Sequence, residues 1–80
     1  MIGFLKGKII SSNEGSVILD VNSVGYQIEN AGFEAMEGQD IELYIHTHVR
    51  ENDLKLYGFK TQEDKTIFEK LLNVSGVGPK

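Results

Sequence analysis

From Ile41 to Arg50 the chain alternates without a break: Ile41, Leu43, Ile45, Thr47 and Val49 share one face of an extended strand, Glu42, Tyr44, His46, His48 and Arg50 the other. A period of two held this long excludes a helix and calls for a sheet with one covered face, so the first set is predicted to be core. The flanking runs share the texture. Ile2, Phe4 and Leu5 lead into Lys6-Gly7-Lys8-Ile9-Ile10, which the turn-forming cluster from Ser11 to Ser16 is expected to end. Val17 to Val21 and Val24 to Glu29 follow as two more strands joined by a tight turn at Asn22-Ser23. Ala31 to Gln39 reads as a glycine-bounded acidic loop or one weak helical turn. After the polar tip Glu51-Asn52-Asp53, Leu54 to Phe59 returns as a fifth strand.

At Thr61 the period changes. Thr61-Gln62-Glu63-Asp64 offers a hydroxyl N-cap with acids in the first turn, and Ile67, Phe68, Leu71 and Leu72 recur at helical spacing as one apolar stripe. A helix over residues 62–73 is predicted to stop at the glycines beyond it. Five antiparallel strands followed by a helix point to a mainly β fold, a five-stranded OB-fold (Greek-key) barrel over residues 1–60, with an SH3-like barrel as nearest rival. Residues 61–80 hold the helix and the onset of a second one, since Pro79 sits where a first-turn proline belongs. The chain is expected to be a fragment.

Composition removes several function classes. With 80 residues, 40% hydrophobic and 25% charged, the chain is one small domain. It has no cysteine, so thiol catalysis, zinc-thiolate sites and disulfides are excluded. No apolar run approaches the roughly 20 residues of a membrane span. No nucleophile elbow, long phosphate-binding glycine loop or catalytic triad pattern is present, so no enzyme, cofactor or metal is expected. His46 and His48 have the spacing of two ligands on one strand face, but no third is identifiable and they read as half-exposed polar residues. The net charge of −4 votes against a phosphate-binding surface in bulk, so any role on DNA must rest on a local site.

Two local sites have both a plain and a functional reading. Arg50-Glu51-Asn52-Asp53 is either a soluble hairpin turn or a negative prong that repels phosphates and guides strands apart. Gly76-Val77-Gly78-Pro79-Lys80 is either a glycine C-cap followed by a new helix, or a hairpin loop whose amides bind phosphate without reading bases.

Five segments taken together go further: Met1-Ile2-Gly3-Phe4-Leu5-Lys6-Gly7, Val24-Gly25-Tyr26, His46-Thr47-His48-Val49-Arg50-Glu51, Leu56-Tyr57-Gly58-Phe59, and Val74-Ser75-Gly76-Val77-Gly78-Pro79-Lys80. In this order and spacing they closely resemble the amino-terminal part of the RuvA family, the Holliday junction-binding subunits of the bacterial branch migration complex. The resemblance covers essentially the whole chain. It implies a non-catalytic, cytoplasmic DNA-binding subunit of recombination and repair that binds four-way junction DNA as a homotetramer and works with the RuvB ATPase motor through a domain absent here. It also implies an acidic pin at Glu51. The family's usual Arg-Glu-Asp falls on Arg50, Glu51 and Asn52, so the second acid has become an amide, with Asp53 as a shifted substitute. Gly76, Gly78 and Lys80 fall on the phosphate-binding hairpin loop, framed by Val77 and Pro79. Two other classes stay open: an OB-fold self-association module, and a generic single-strand binder stacking bases on Tyr26, Tyr44 or Tyr57.

Overall fold

The computed structural model describes residues 1–30 and 33–75. Among them β1 (Phe4–Asn13), β2 (Ser16–Val21), β3 (Val24–Asn30), β4 (Asp40–Arg50) and β5 (Asp53–Phe59) precede α1 (Gln62–Ser75). The strands close into a barrel in the order β1-β2-β3-β5-β4, the Greek-key arrangement of an OB-fold. All neighbours are antiparallel except β3 and β5, which pair parallel through Glu29↔Tyr57 and Asn30↔Gly58. That seam corrects the all-antiparallel expectation, and parity explains it: a closed ring with an odd number of strands must contain a parallel neighbour.

Closure depends on β1, which serves two partners. Phe4 to Lys8 pair with Tyr44 to Asp40 of β4, and Lys8 to Asn13 pair with Asp20 to Ser16 of β2. The strand turns this corner at Gly7, where a Cβ would fall on the Asp20 carbonyl, and the register shifts between Ile9 and Ser11. β1 runs longer than its serines suggest, because Ser11, Ser12 and Asn13 are all paired. The turn is only Glu14-Gly15, with Gly15 at φ +85°.

Leu5, Ile9, Val17, Leu19, Ile28, Ile41, Leu43, Ile45 and Leu56 fill the barrel, with Phe33 and Ala35 of the β3–β4 connection packed against them. No helical turn appears in that connection among the described residues. Ile41, Leu43, Ile45 and Thr47 are buried as the alternation predicts, but Val49 is exposed, because β4 outruns the barrel before reaching it. Thr47 is the buried polar member of the row. Its Oγ1 donates to the Ile2 carbonyl at 2.6 Å and accepts from the Ile2 amide at 3.1 Å, tying the chain start to β4.

α1 begins as predicted, with Thr61 Oγ1 accepting the Asp64 amide at 3.1 Å, and continues to Ser75 rather than stopping at Asn73. It lies on the outer face of β4 and β5. Only part of its stripe is covered: Phe68 and Leu72 are half-buried, whereas Ile67 and Leu71 remain exposed. Two strands offer too narrow a platform for both rows. The start of the second helix and the loop Gly76-Val77-Gly78-Pro79-Lys80 lie outside the described residues.

Both tight-packed glycines give a stability test. Gly7→Ala drives a Cβ into backbone, which cannot yield locally, and should cost about 3 kcal/mol or more. At Gly58 the added Cβ would sit 2.6 Å from Cγ2 of the fully buried Ile28, so Gly58→Ala should cost about 2 kcal/mol through side-chain repacking. Urea denaturation of the two variants should give that order.

Candidate nucleic-acid interface

β4 and β5 form a long hairpin that pairs from Tyr44↔Phe59 to Arg50↔Asp53 and turns through Glu51-Asn52. Thr47 and Leu56 are its last buried pair; past them the ribbon projects from the end of the barrel. Glu51, Asn52 and Asp53 are all exposed at its apex. Arg50 shares the last paired rung with Asp53 and its Nε donates to His48 Nε2 at 3.0 Å, while Lys55 lies further back opposite His48. The ribbon therefore carries mixed charge rather than uniformly negative charge: Glu51 stands at the turn, Arg50 and Asp53 share the last rung, and Lys55 lies behind them. Exposed charges act within a screening length of about 10 Å at 0.1 M salt, so whatever meets the apex meets Glu51 and Asp53 together with Arg50 beside them.

The same outer face holds α1 in place. Phe68 inserts among His46, Tyr57 and Phe59, with ring centroids 5.4, 5.3 and 5.1 Å away. Beside it, His46 Nδ1 and Glu69 Oε2 are 2.8 Å apart. Burial under the helix pushes the Tyr57 phenol above its usual range, with Glu29 and Asp53 adding to the effect and Arg50 opposing it. These contacts also give the helix its direction. α1 starts past Phe59, opposite Tyr44, and has reached His46 and Tyr57 by Phe68 and Glu69. It runs back along β5, so its last turn points toward the end of the barrel that carries Glu51 and Asp53.

The residues singled out from sequence are thus placed as follows. Glu51 and Asp53 stand together at the apex, and Gly76, Val77, Gly78, Pro79 and Lys80 lie outside the described residues. His46 and His48 are engaged with Glu69 and Arg50 on the helix-bearing face, 6.1 Å between ring centroids. Among the described residues no group of three or more His, Cys, Asp or Glu could hold a metal ion. Of the three tyrosines proposed for base stacking, Tyr57 is buried beneath Phe68 and cannot stack while α1 is docked. Tyr26 packs against the core, and Tyr44 meets Phe4 edge-on at 5.4 Å. Sequence reasoning missed the His46–Glu69 contact and the aromatic socket. The signal available was Phe68 within the helical stripe, since the residue beside it lies at the margin of the buried face.

Comparison with known proteins places this geometry in context. The family model for the RuvA N terminal domain matches residues 1–58. The chain is 48% identical over 85 residues to the Holliday junction branch migration complex subunit RuvA of Bdellovibrio bacteriovorus, covering all of this chain and 43% of that protein. It is 46% identical over 82 residues to the subunit of the same name from Halothermothrix orenii, covering all of this chain and 42% of the relative. The Legionella pneumophila (strain Corby) subunit is 49% identical over 85 residues, again with the whole chain and 43% of the relative covered. The chain thus spans less than half the length of the curated relatives it matches.

Two measurements probe the socket. Phe68→Ala should cost about 2 kcal/mol, the value for a half-buried aromatic, and should make α1 the first site of proteolytic cleavage. Because the folded state holds the Tyr57 proton more tightly than the unfolded chain, Tyr57 adds no pH dependence well below 10. Above that, unfolded tyrosine ionises first and stability falls as pH rises toward the folded pKa. Denaturation curves at pH 9 to 11 should therefore fall more steeply for the wild type than for Tyr57→Phe.

Proposed function

The chain belongs to the RuvA N-terminal domain family, and from that premise we propose that it is the barrel end of a non-catalytic subunit that recognises Holliday junctions and holds them open while a partner ATPase motor drives branch migration. The observation that carries this reading is the polarity of one end of the molecule. The apex carboxylates of Glu51 and Asp53 are exposed there, and α1, which precedes Gly76 to Lys80 in sequence, is docked on the same hairpin.

In this reading the two features do opposite work. Loop amides around Gly76 and Gly78, with Lys80, hold the sugar-phosphate chain of an arm. Glu51 and Asp53 occupy the space between arms, where they repel phosphates and keep paired strands from closing on one another. Asn52 contributes no charge, and Asp53 takes up the role of the second acid one residue later. The net charge of −4 is consistent with a chain that carries the excluding element and only the beginning of the binding one. Four copies around a junction and a motor contacted through a further domain complete the proposal. The barrel as a pure self-association module is the second reading; the exposed apolar residues Phe4 and Ile10 on β1 favour it.

Gel-shift titration of a four-way junction at low salt tests the division of labour. The protein at its relatives' full length should bind, and residues 1–80 alone should bind at least about tenfold more weakly, because most phosphate contacts are then missing. Glu51→Gln with Asp53→Asn in the longer protein should tighten binding by about threefold through lost repulsion. Tight binding by residues 1–80, or weaker binding after neutralisation, would overturn the assignment.

A further inference from the structure

His48 lies on the outer face of β4, two residues before Arg50 and on the same side of the strand. Its ring is half-buried between two others. The His46 ring is 6.1 Å away along β4, and the Tyr57 ring meets it edge-on at 6.5 Å from β5. Both neighbours belong to paired strands, so His48 Nε2 has a fixed place. Arg50 is exposed on the last rung, where a long side chain ordinarily keeps most of its rotamers. Here its Nε donates to His48 Nε2 at 3.0 Å. Nε is the guanidinium nitrogen nearest the chain, so a bond made there sets the plane of the fork and leaves the two outer nitrogens to other acceptors.

The direction of donation decides which ring nitrogen carries hydrogen. A guanidinium has N–H donors and no acceptor, so His48 offers a bare Nε2 to Arg50 and holds its own hydrogen on Nδ1. A proton added at Nε2 ends the bond and sets an imidazolium between the Arg50 guanidinium and the Lys55 ammonium group opposite. We propose that His48 is a positioning residue for Arg50: unprotonated, it fixes the guanidinium beside Glu51 and Asp53, and protonated, it lets go. The other charged or titratable groups around it are His46 with Glu69 of α1, Lys55 and Tyr57 of β5, Asp53 on the Arg50 rung and Glu51 at the turn. Histidine is the side chain whose charge ordinarily changes between about pH 5 and 8, so a test has to separate His48 from His46. The consequence for DNA rests on the junction-binding reading above, in which Glu51 and Asp53 repel phosphates. A positive charge gained at His48, and a guanidinium it no longer holds, weaken that repulsion as the pH falls.

Nitrogen-15 NMR of the chain reads the bond directly, and Arg50 is the only arginine, so its Nε–H signal identifies itself. At about pH 7.5 the wild type should show a nitrogen–nitrogen coupling through the bond from Arg50 Nε to His48 Nε2. At about pH 5.5 the coupling should vanish and the Nε–H proton should move to the shift of a water-exposed arginine. His48→Gln supplies an oxygen that accepts the same hydrogen but does not titrate, and it leaves His46 in place. That variant should hold the Nε–H at one shift at both pH values. A wild type without the coupling at the higher pH, or with an Nε–H that does not move, overturns the proposal, as does a glutamine variant that keeps the wild-type response. For the protein at its relatives' full length, affinity for a four-way junction in a gel shift should rise on acidification by about threefold more in the wild type than in His48→Gln. Equal rises overturn the role at the apex. Failure of the wild type to bind the junction at either pH removes the junction reading instead, and the coupling then decides the positioning of Arg50 by itself.

Discussion

Everything at the working end of this molecule depends on the bend in β1. One strand must pair with β4 over its first half and with β2 over its second, with Lys8 common to both registers. The backbones come so close at Gly7 that only hydrogen fits in place of a side chain. Once that corner is made, the described strands close into one ring, joined at the short β3–β5 seam. Closure with an odd number of strands then forces the parallel seam between β3 and β5. That seam sends the β2–β3 and β4–β5 hairpins out of the same end.

The second organising contact is smaller. Among the described residues α1 is held to the barrel by the aromatic plug Phe68 and the polar contact of His46 with Glu69, with Leu72 half-buried and Ile67 exposed. This is enough to orient the helix, because the socket of Tyr57, Phe59 and His46 is built on paired strands that cannot shift independently. It also couples the helix to the hairpin bearing the acids, since the residues beneath Phe68 belong to the same two strands. That hairpin gathers Arg50, Glu51 and Asp53 at its apex with Lys55 further back, so a domain of overall negative charge carries a local cluster of both signs there.

Much of this is legible in the residues. The alternation from Ile41 to Thr47, the turn at Asn22-Ser23 and the cap at Thr61 are local signals, and each forms as its chemistry dictates. Asn22 and Ser23 adopt φ of 51° and 71°, with the Asp20 carboxylate accepting the Ser23 amide. What sequence did not reveal is non-local. Ser11 to Asn13 have turn-forming character, yet they extend β1 because β2 is there to pair with them. Val49 continues a perfect period-two pattern but lies beyond the last layer of core, and a period cannot say where a barrel ends. The acid pair at Glu51 and Asp53 and its exposure at a polar tip could be named from sequence; how far the ribbon projects past its last buried pair, Thr47 and Leu56, could not. His46 and Glu69 are 23 positions apart, and nothing short of the packed helix brings them together.

The clamp between Thr47 and the first residues has a practical side. Ile2 is bonded at both its amide and its carbonyl to a side chain only four positions before the apex turn, so the amino terminus is held at the crowded end of the molecule. An affinity tag or fluorophore attached ahead of Met1 would emerge beside the carboxylates and could obstruct whatever approaches them. Labels are better carried on the far side, at Glu14, which is exposed in the β1–β2 turn, and not at Gly15, whose φ of +85° disfavours any side chain.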